Sequence, residues 1–428
     1  MQSLRSQPKV QPAMYLSGSK WNMRKRRRRS NPLLALALLL LIAAAVYVER
    51  IVVPTVPPLF IPTVTPTRSP ATFVLQAESL FAAGKLDQAE EAYLQAIAID
   101  PQQAAFYVAL ARAQVFNGKP EDAARSAQDA LLIDPNAAQA HGAYAWALDF
   151  LGGEENLTKA REEIDKALQI DPNSALIQAF RAEILMDSSP ENYKDALDAA
   201  RLAVQIDPNL LEAHRALGYV WEGTASYDLA MQSYETALRI NPNLAILHIS
   251  MGNMLLNQGD TNGAISAYLQ ASQLAPTSVQ PLQLIAQAYA RVGDFGKASQ
   301  YAETAVNLRP ADPRLHGDLG RMYYKNNDLD QAVAELELTV RGGTTAGGVA
   351  VQPVPWDAAR PSTVEFYWTY GLALAKSGQC GQAVEIFQAL LGEVSDDTVA
   401  VENVTQGLVL CGVLQPTPTP RPGATPSP

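Results

Sequence analysis

A proline that recurs at nearly constant intervals is the feature that most constrains the fold of this chain. Its copies are Pro101, Pro135, Pro172, Pro208, Pro242, Pro276 and Pro310. The intervals between them are 34, 37, 36, 34, 34 and 34 residues. Several of them lie in the phrase Ile-Asp-Pro-Asn, as at 133–136 and 206–209. A helix ends at such a phrase, because proline disfavours the α conformation in the residue before it. The interval therefore predicts a series of repeated units, each closed by a turn.

Small residues at fixed places indicate what each unit contains. Alanines lie twelve residues before the prolines, at Ala89, Ala123, Ala160, Ala196, Ala230, Ala264 and Ala298. A second set follows seven residues later, at Ala96, Ala130, Ala167, Ala203, Ala237, Ala271 and Ala305. Small residues at this spacing let two helices approach each other closely. The pattern predicts a helix pair in every unit and a one-dimensional stack of pairs.

The repeated pattern resembles the tetratricopeptide repeat (TPR) family, whose unit is a 34-residue antiparallel helix pair. The family's Leu-Gly, Tyr, Ala, Tyr, Ala and Pro positions are met at 217–242 and again, with Met-Gly at its start, at 251–276. The resemblance implies an all-α superhelical solenoid of about nine helix-turn-helix repeats with a C-terminal capping helix. We predict repeats one to eight over 71–341, an inserted loop over 342–362, and repeat nine with the capping helix over 363–414.

The residues before the repeats predict a membrane anchor. Residues 1–29 contain nine Lys or Arg and no acid, and Leu33–Val48 is apolar except for Tyr47. We therefore predict a cytoplasmic polybasic segment over 1–32 and a transmembrane signal anchor over 33–53, with the repeats outside the cytoplasm by the positive-inside rule. Two alternatives remain open for this head, a cleaved signal peptide and a basic patch that binds nucleic acid.

Composition extends this prediction to the rest of the chain. Proline and threonine dominate 54–70, which predicts an extended stalk, and 415–428, which predicts a disordered tail. The net charge of −10 argues against nucleic acid as the main partner. The sequence thus predicts a single-pass membrane protein with a cytoplasmic N-terminus, which we assign to a prokaryotic cell envelope.

Catalytic signatures are absent from the sequence. It contains no glycine-rich phosphate loop, GxSxG elbow or HExxH motif, so we predict no catalytic, cofactor or metal site. Four histidines lie in one slot of different repeats, where they cannot share a metal, and we interpret them as structural: His141, His214, His248 and His316.

A partner groove follows from the resemblance. In TPR proteins the first helices line a concave face that receives extended peptides or partner helices. The matching slots of this chain are Trp146, Phe150, Arg215, Tyr219, Asn253, Asn257, Gln287, Arg291, Arg321, Tyr324, Lys325 and Trp368. Our hypothesis is a membrane-anchored, non-enzymatic scaffold that binds a protein or peptide there, with basic residues contacting an acidic segment. The alternative is a structural or carbohydrate-associated envelope component, with sugars stacked on Trp146, Tyr219, Tyr324 and Trp368.

The only two cysteines are predicted to pair. Cys380 lies at the turn before the second helix of repeat nine, and Cys411 ends the predicted capping helix over 396–411. The capping helix runs antiparallel to the second helix, so its end returns to that turn. In an oxidising compartment two such thiols form a disulfide, and the alternative is two free thiols.

Overall fold

A computed structural model describes residues 31–52 and 69–415 of the chain. The chain divides into two units, residues 1–67 and 68–428. All but the last two residues of the predicted polybasic segment, all but the last two of the predicted stalk and all but the first residue of the predicted tail lie outside the described residues.

The described part of the first unit is a single apolar helix. Helix α1 spans Pro32–Tyr47 and continues as a π-helical turn over Val48–Val52. The stretch Pro32–Ile51 has a mean hydropathy of 2.3, and its length and composition are sufficient to cross a membrane. A signal sequence near an N-terminus has the same two properties.

In its described residues, 69–415, the second unit contains nine consecutive helix pairs. The first five pairs are α2 Pro70–Ala82 with α3 Leu86–Ile99, α4 Ala104–Phe116 with α5 Pro120–Ile133, α6 Ala138–Leu151 with α7 Glu154–Ile170, α8 Ala175–Ser188 with α9 Tyr193–Ile206, and α10 Leu211–Gly223 with α11 Tyr227–Ile240. The last four are α12 Ala245–Asn257 with α13 Thr261–Leu274, α14 Val279–Arg291 with α15 Phe295–Leu308, α16 Pro313–Asn326 with α17 Leu329–Val340, and α18 Pro361–Lys376 with α19 Cys380–Glu393. A short 3₁₀ turn, Pro190–Asn192, precedes α9. The predicted all-α solenoid is confirmed.

Small residues hold each pair together, as the sequence indicated. The alanines of both repeated sets are at most 1% exposed. At Gly218, Gly252 and Gly371 of three first helices, an aromatic ring of the second helix fills the space: a Cβ on Gly218 would lie 2.8 Å from the ring of Tyr234, and one on Gly371 would lie 2.9 Å from Phe387 Cδ1. At Gly320 the side chain of Leu336 takes this place. The interior is close-packed, so this small-to-large pairing sets the distance between the two helices.

The histidine slot forms a hydrogen bond between successive repeats. In each case Nε2 lies within 3.0 Å of the carbonyl oxygen of the proline six residues earlier, in the pairs His141–Pro135, His214–Pro208, His248–Pro242 and His316–Pro310. A carbonyl only accepts, so Nε2 carries the hydrogen. Tyr107 and Gln178 occupy the same slot and donate to Pro101 and Pro172. The first helix of one unit is thereby fixed to the turn that ends the previous one.

The inserted segment and the C-terminal end depart from the repeat. Strands β1 (Gly343–Thr344) and β2 (Ala350–Val351) pair antiparallel, with Gly343 opposite Val351. Helix α20, Thr398–Leu410, packs on the last pair and buries Val404 and Leu408.

Candidate partner-binding surface

The first five repeats close on themselves, so the predicted groove is not open along its whole length. The Asn243 side chain donates to the carbonyl oxygen of Ala82 at 2.9 Å, and Asn241 donates to that of Phe81 at 3.4 Å. These bonds join the first repeat to the turn after the fifth. We call this contact, between residues 81–84 and 241–243, the seam.

Aromatic side chains fill the interior of the closed turn. Trp146 is 0% exposed. Its ring stacks on Phe180 at 4.4 Å and meets Phe116 and Phe150 edge to face at 5.3 and 5.4 Å between centroids. The prediction that Trp146 faces a partner is wrong, because the inward slot of its repeat is part of the hydrophobic core. Phe150 is half-buried against the same ring.

Ion pairs cross the same interior. Arg215 is 6% exposed, pairs with Glu183 and lies over the rings of Trp146 and Phe150. Glu183 also accepts a hydrogen bond from Trp146 Nε1 at 2.7 Å. Arg215 is therefore not a partner-binding residue either, because its charge is already compensated. A second pair, Arg112 with Glu212, links the second repeat to the fifth.

Three acids beside Arg215 hold protons more tightly than usual. Burial raises the pKa of Asp149 well above its ordinary value, and the charges of Asp187 and Glu183 raise it further against the opposing effect of Arg215. Burial also raises the pKa of Asp187 and of Glu183. The hydroxyl of Tyr219 donates to Asp187, so this predicted groove residue is also bound within the protein.

Beyond the fifth repeat the same inward slots reach solvent. Asn257, Arg291, Lys325 and Lys376 are all exposed and occupy equivalent positions, 34, 34 and 51 residues apart, at the ends of α12, α14, α16 and α18. We call these four residues the polar row. Within the described part of the chain, Arg291 and Lys325 form no ion pair, and Lys376 Nζ lies 4.3 Å from the ring centroid of Tyr324. A cation at a helix C-terminus is favoured by the helix dipole, and its side chain is still free to bind an anion.

Other predicted groove residues are already engaged. Arg321 pairs with Asp318 at 3.0 Å and with Glu365, so its charge is compensated. Asn253 accepts a hydrogen bond from the Tyr268 hydroxyl at 2.8 Å.

Two further residues of the predicted groove differ in their exposure to solvent. Gln287 is exposed beside the polar row, whereas Trp368 is 9% exposed within the core of repeat nine, so the prediction that Trp368 faces a partner is wrong. With Trp146 and Trp368 both buried, the hypothesis that these tryptophans stack sugars loses its basis.

The sequence prediction missed the acids that neutralise the inward basic residues. Asp318 and Glu365 contact Arg321 from its own helix and from the next repeat. Asp318 also accepts a hydrogen bond from Gln283 at 3.1 Å. The available signal was the opposite charge at inward positions of neighbouring first helices.

The two cysteines lie together at the C-terminal end of the array. Cys380 begins α19, Cys411 follows α20, and the structure joins them with their Cα atoms 5.4 Å apart. This separation is within the range that a disulfide requires. Oxidation of the pair in the native compartment stays a prediction.

Comparison with known proteins identifies the repeats. Residues 80–147 and 284–346 match family models described as tetratricopeptide repeat. Among curated proteins, anaphase-promoting complex subunit 6 of Dictyostelium discoideum is 32% identical over 81 residues. This similarity covers 19% of the chain and 9% of the relative, so it concerns repeats and not the whole relative.

Proposed function

The chain is a tetratricopeptide-repeat protein, and on this premise we propose that it is a membrane-anchored, non-enzymatic scaffold that binds a protein partner along its polar row. TPR arrays are extended surfaces that contact other proteins. The observation that carries the proposal is the row itself, in which three equivalent cations are exposed and none has an ion-pair partner among the described residues. A charged side chain without a partner is available to an incoming ligand.

The charge of the chain makes this row distinctive. From residue 30 onward there are 24 basic and 43 acidic residues, so a row of free cations lies on an acidic body. An acidic segment of a partner would form charge-assisted hydrogen bonds with the row. Packed helices lie about 10 Å apart, and a peptide in the extended polyproline II conformation advances about 3.1 Å per residue with three residues per turn, so that every third side chain lies on the same face. The fitting ligand is therefore an extended segment with an acidic residue at roughly every third position.

Charge reversal tests this binding mode. The full chain carrying Arg291→Glu, Lys325→Glu and Lys376→Glu should lose most crosslinking to its partner in native membranes, and salt should weaken the parent's capture. A matched control reverses three exposed cations outside the row, Arg161, Lys194 and Arg309. Equal capture by the row variant and the control variant would refute the binding mode, provided that circular dichroism shows unchanged helicity in both.

The proposed location is extracytoplasmic, with α1 as a signal anchor in a prokaryotic envelope. The apolar stretch Pro32–Ile51 follows a basic segment, and the positive-inside rule then favours a cytoplasmic N-terminus. A reporter that is active only outside the cytoplasm should work when fused after Pro70, and a cytoplasmic reporter should fail. The reverse result would refute the location and leave the partner-binding proposal standing.

A further inference from the structure

The inserted segment forms a pocket that no repeat possesses by itself. Trp356, at the end of the insertion, covers a cavity of about 410 Å³ between Tyr367 of α18 and the second helix of repeat nine. The volume lies in the range of small-ligand sites. We call this cavity the insert pocket. It is separate from the polar row, and it carries the opposite charge.

The floor and one wall of the insert pocket are apolar. Ile386 and Leu390, 9% and 2% exposed, form the floor. The rings of Trp356 and Tyr367 meet at 4.8 Å between centroids with an interplanar angle of 73°, and both residues are half-buried. Their ring contact fixes the aromatic wall, while the remaining ring surface faces the cavity.

The rim of the pocket is acidic. Glu385, Ala389 and Glu393 follow each other at intervals of four residues on α19, so they lie on one face of that helix. Both carboxylates are exposed, and neither forms a hydrogen bond or ion pair with a described residue. The methyl side chain of Ala389 leaves the space between them open.

Arg341 also lines the insert pocket, but its contacts are with residues other than the two rim carboxylates. Arg341 donates to Gln382 at 3.1 Å, lies 3.6 Å from Glu337, and its guanidinium lies over the ring of Tyr370. Glu385 and Glu393 therefore present uncompensated negative charge above an apolar floor.

We propose that the insert pocket binds an arginine side chain of a partner protein. The aliphatic part of arginine would cover Ile386 and Leu390, and the guanidinium would reach the carboxylates of Glu385 and Glu393. Its planar face would stack on the aromatic wall. Arginine suits all three contacts at once, because it combines an apolar stem, a planar cation and paired donors for carboxylates.

The test measures binding of short peptides to the full chain in detergent, labelled with 5-fluorotryptophan. The Trp356 resonance is assigned with the Trp356→Phe variant. A Gly-Arg-Gly-Arg-Gly peptide should shift this resonance, and the peptides with Lys or Glu in place of Arg should bind more weakly, with Glu weakest.

Variants separate the site from general charge effects. The double variant Glu385→Gln, Glu393→Gln should bind the arginine peptide about tenfold more weakly or worse, since its charge-assisted hydrogen bonds are lost. The same change at Glu121 and Glu235, exposed acids of other second helices, should have little effect. Unchanged binding in the rim variant would overturn the proposal, as would a glutamate peptide or a neutral oligosaccharide that shifts Trp356 as strongly.

Discussion

Replacement of Gly84 by alanine should open the seam, whereas the same change at Gly118 should leave it closed. The two glycines are equivalent, 34 residues apart, with φ of +72° and +69°. Alanine in this left-handed region costs roughly 1–2 kcal/mol at either position. At Gly84 alone the new Cβ would meet another segment, 2.9 Å from Asn243 Cβ and closer still to the Asn243 carbonyl oxygen. At Gly118 it would meet nothing within 4 Å.

The extra cost at Gly84 follows from the contacts that would separate. The obstruction is partly backbone, so no side-chain rotation relieves it, and residues 81–84 must move away from residues 241–243. The two amide hydrogen bonds of the seam are lost, at about 1 kcal/mol each. Gly84→Ala should therefore reduce the free energy of unfolding by about 2 kcal/mol more than Gly118→Ala does.

Two measurements check this difference. Urea unfolding of both variants gives the free energies, and hydrogen exchange read by mass spectrometry follows the peptides that contain the two sides of the seam. Exchange should accelerate on both sides in Gly84→Ala and on neither side in Gly118→Ala. Equal free-energy losses together with equal exchange in the two variants would refute the closed turn.

Three further changes test the buried charges and the C-terminal end. Asp149→Asn should raise the free energy of unfolding by about 1–2 kcal/mol at pH 7.5 and by less near pH 4. Because folding raises the pKa of Asp149, the parent loses stability as the pH rises from about 3.8, the pKa in the unfolded chain, through the higher pKa in the folded chain. Thermal melts of both proteins at the two pH values measure the difference. A variant less stable than the parent at pH 7.5 would contradict this prediction. Burial of His316 opposes its positive charge, but its hydrogen bonds to Glu335 and to a proline carbonyl raise its pKa. The stabilisation that protonated His316 gives to the folded chain is therefore complete below about pH 6.5, the pKa in the unfolded chain, and is lost as the pH rises through the higher pKa in the folded chain. His316→Gln, which keeps a donor for that carbonyl, should flatten this part of the pH-stability curve, and an unchanged curve would exclude the assignment. Non-reducing denaturation should release no free thiol from Cys380 and Cys411, and Cys380→Ser should cost roughly 3–4 kcal/mol for a loop of 31 residues; two free thiols would disprove the bridge.

The sequence predicted what depends on local pattern and did not predict what depends on accumulated rotation. Proline spacing and buried alanines determine each helix pair, so the pairs could be found without coordinates. Trp146, Tyr219, Asn253, Gln287 and Arg321 occupy one slot of the repeat, yet Trp146 is 0% exposed and Gln287 is exposed. Their exposure differs because the array closes on itself after the fifth repeat. This closure results from small rotations between successive repeats, which no single residue specifies.

The seam also changes how the array loses its structure. A stack of repeats ordinarily unfolds as a linear chain of neighbours, so that one end can fray while the rest persists. Contacts between residues 160 positions apart close the first five repeats into a loop, and this loop cannot fray from the N-terminal end without first breaking the seam. These repeats should therefore unfold together as one cooperative block, and they should also fold more slowly than an open stack because the closing contact is so distant in sequence. Repeats six to nine retain the gradual behaviour of an open array.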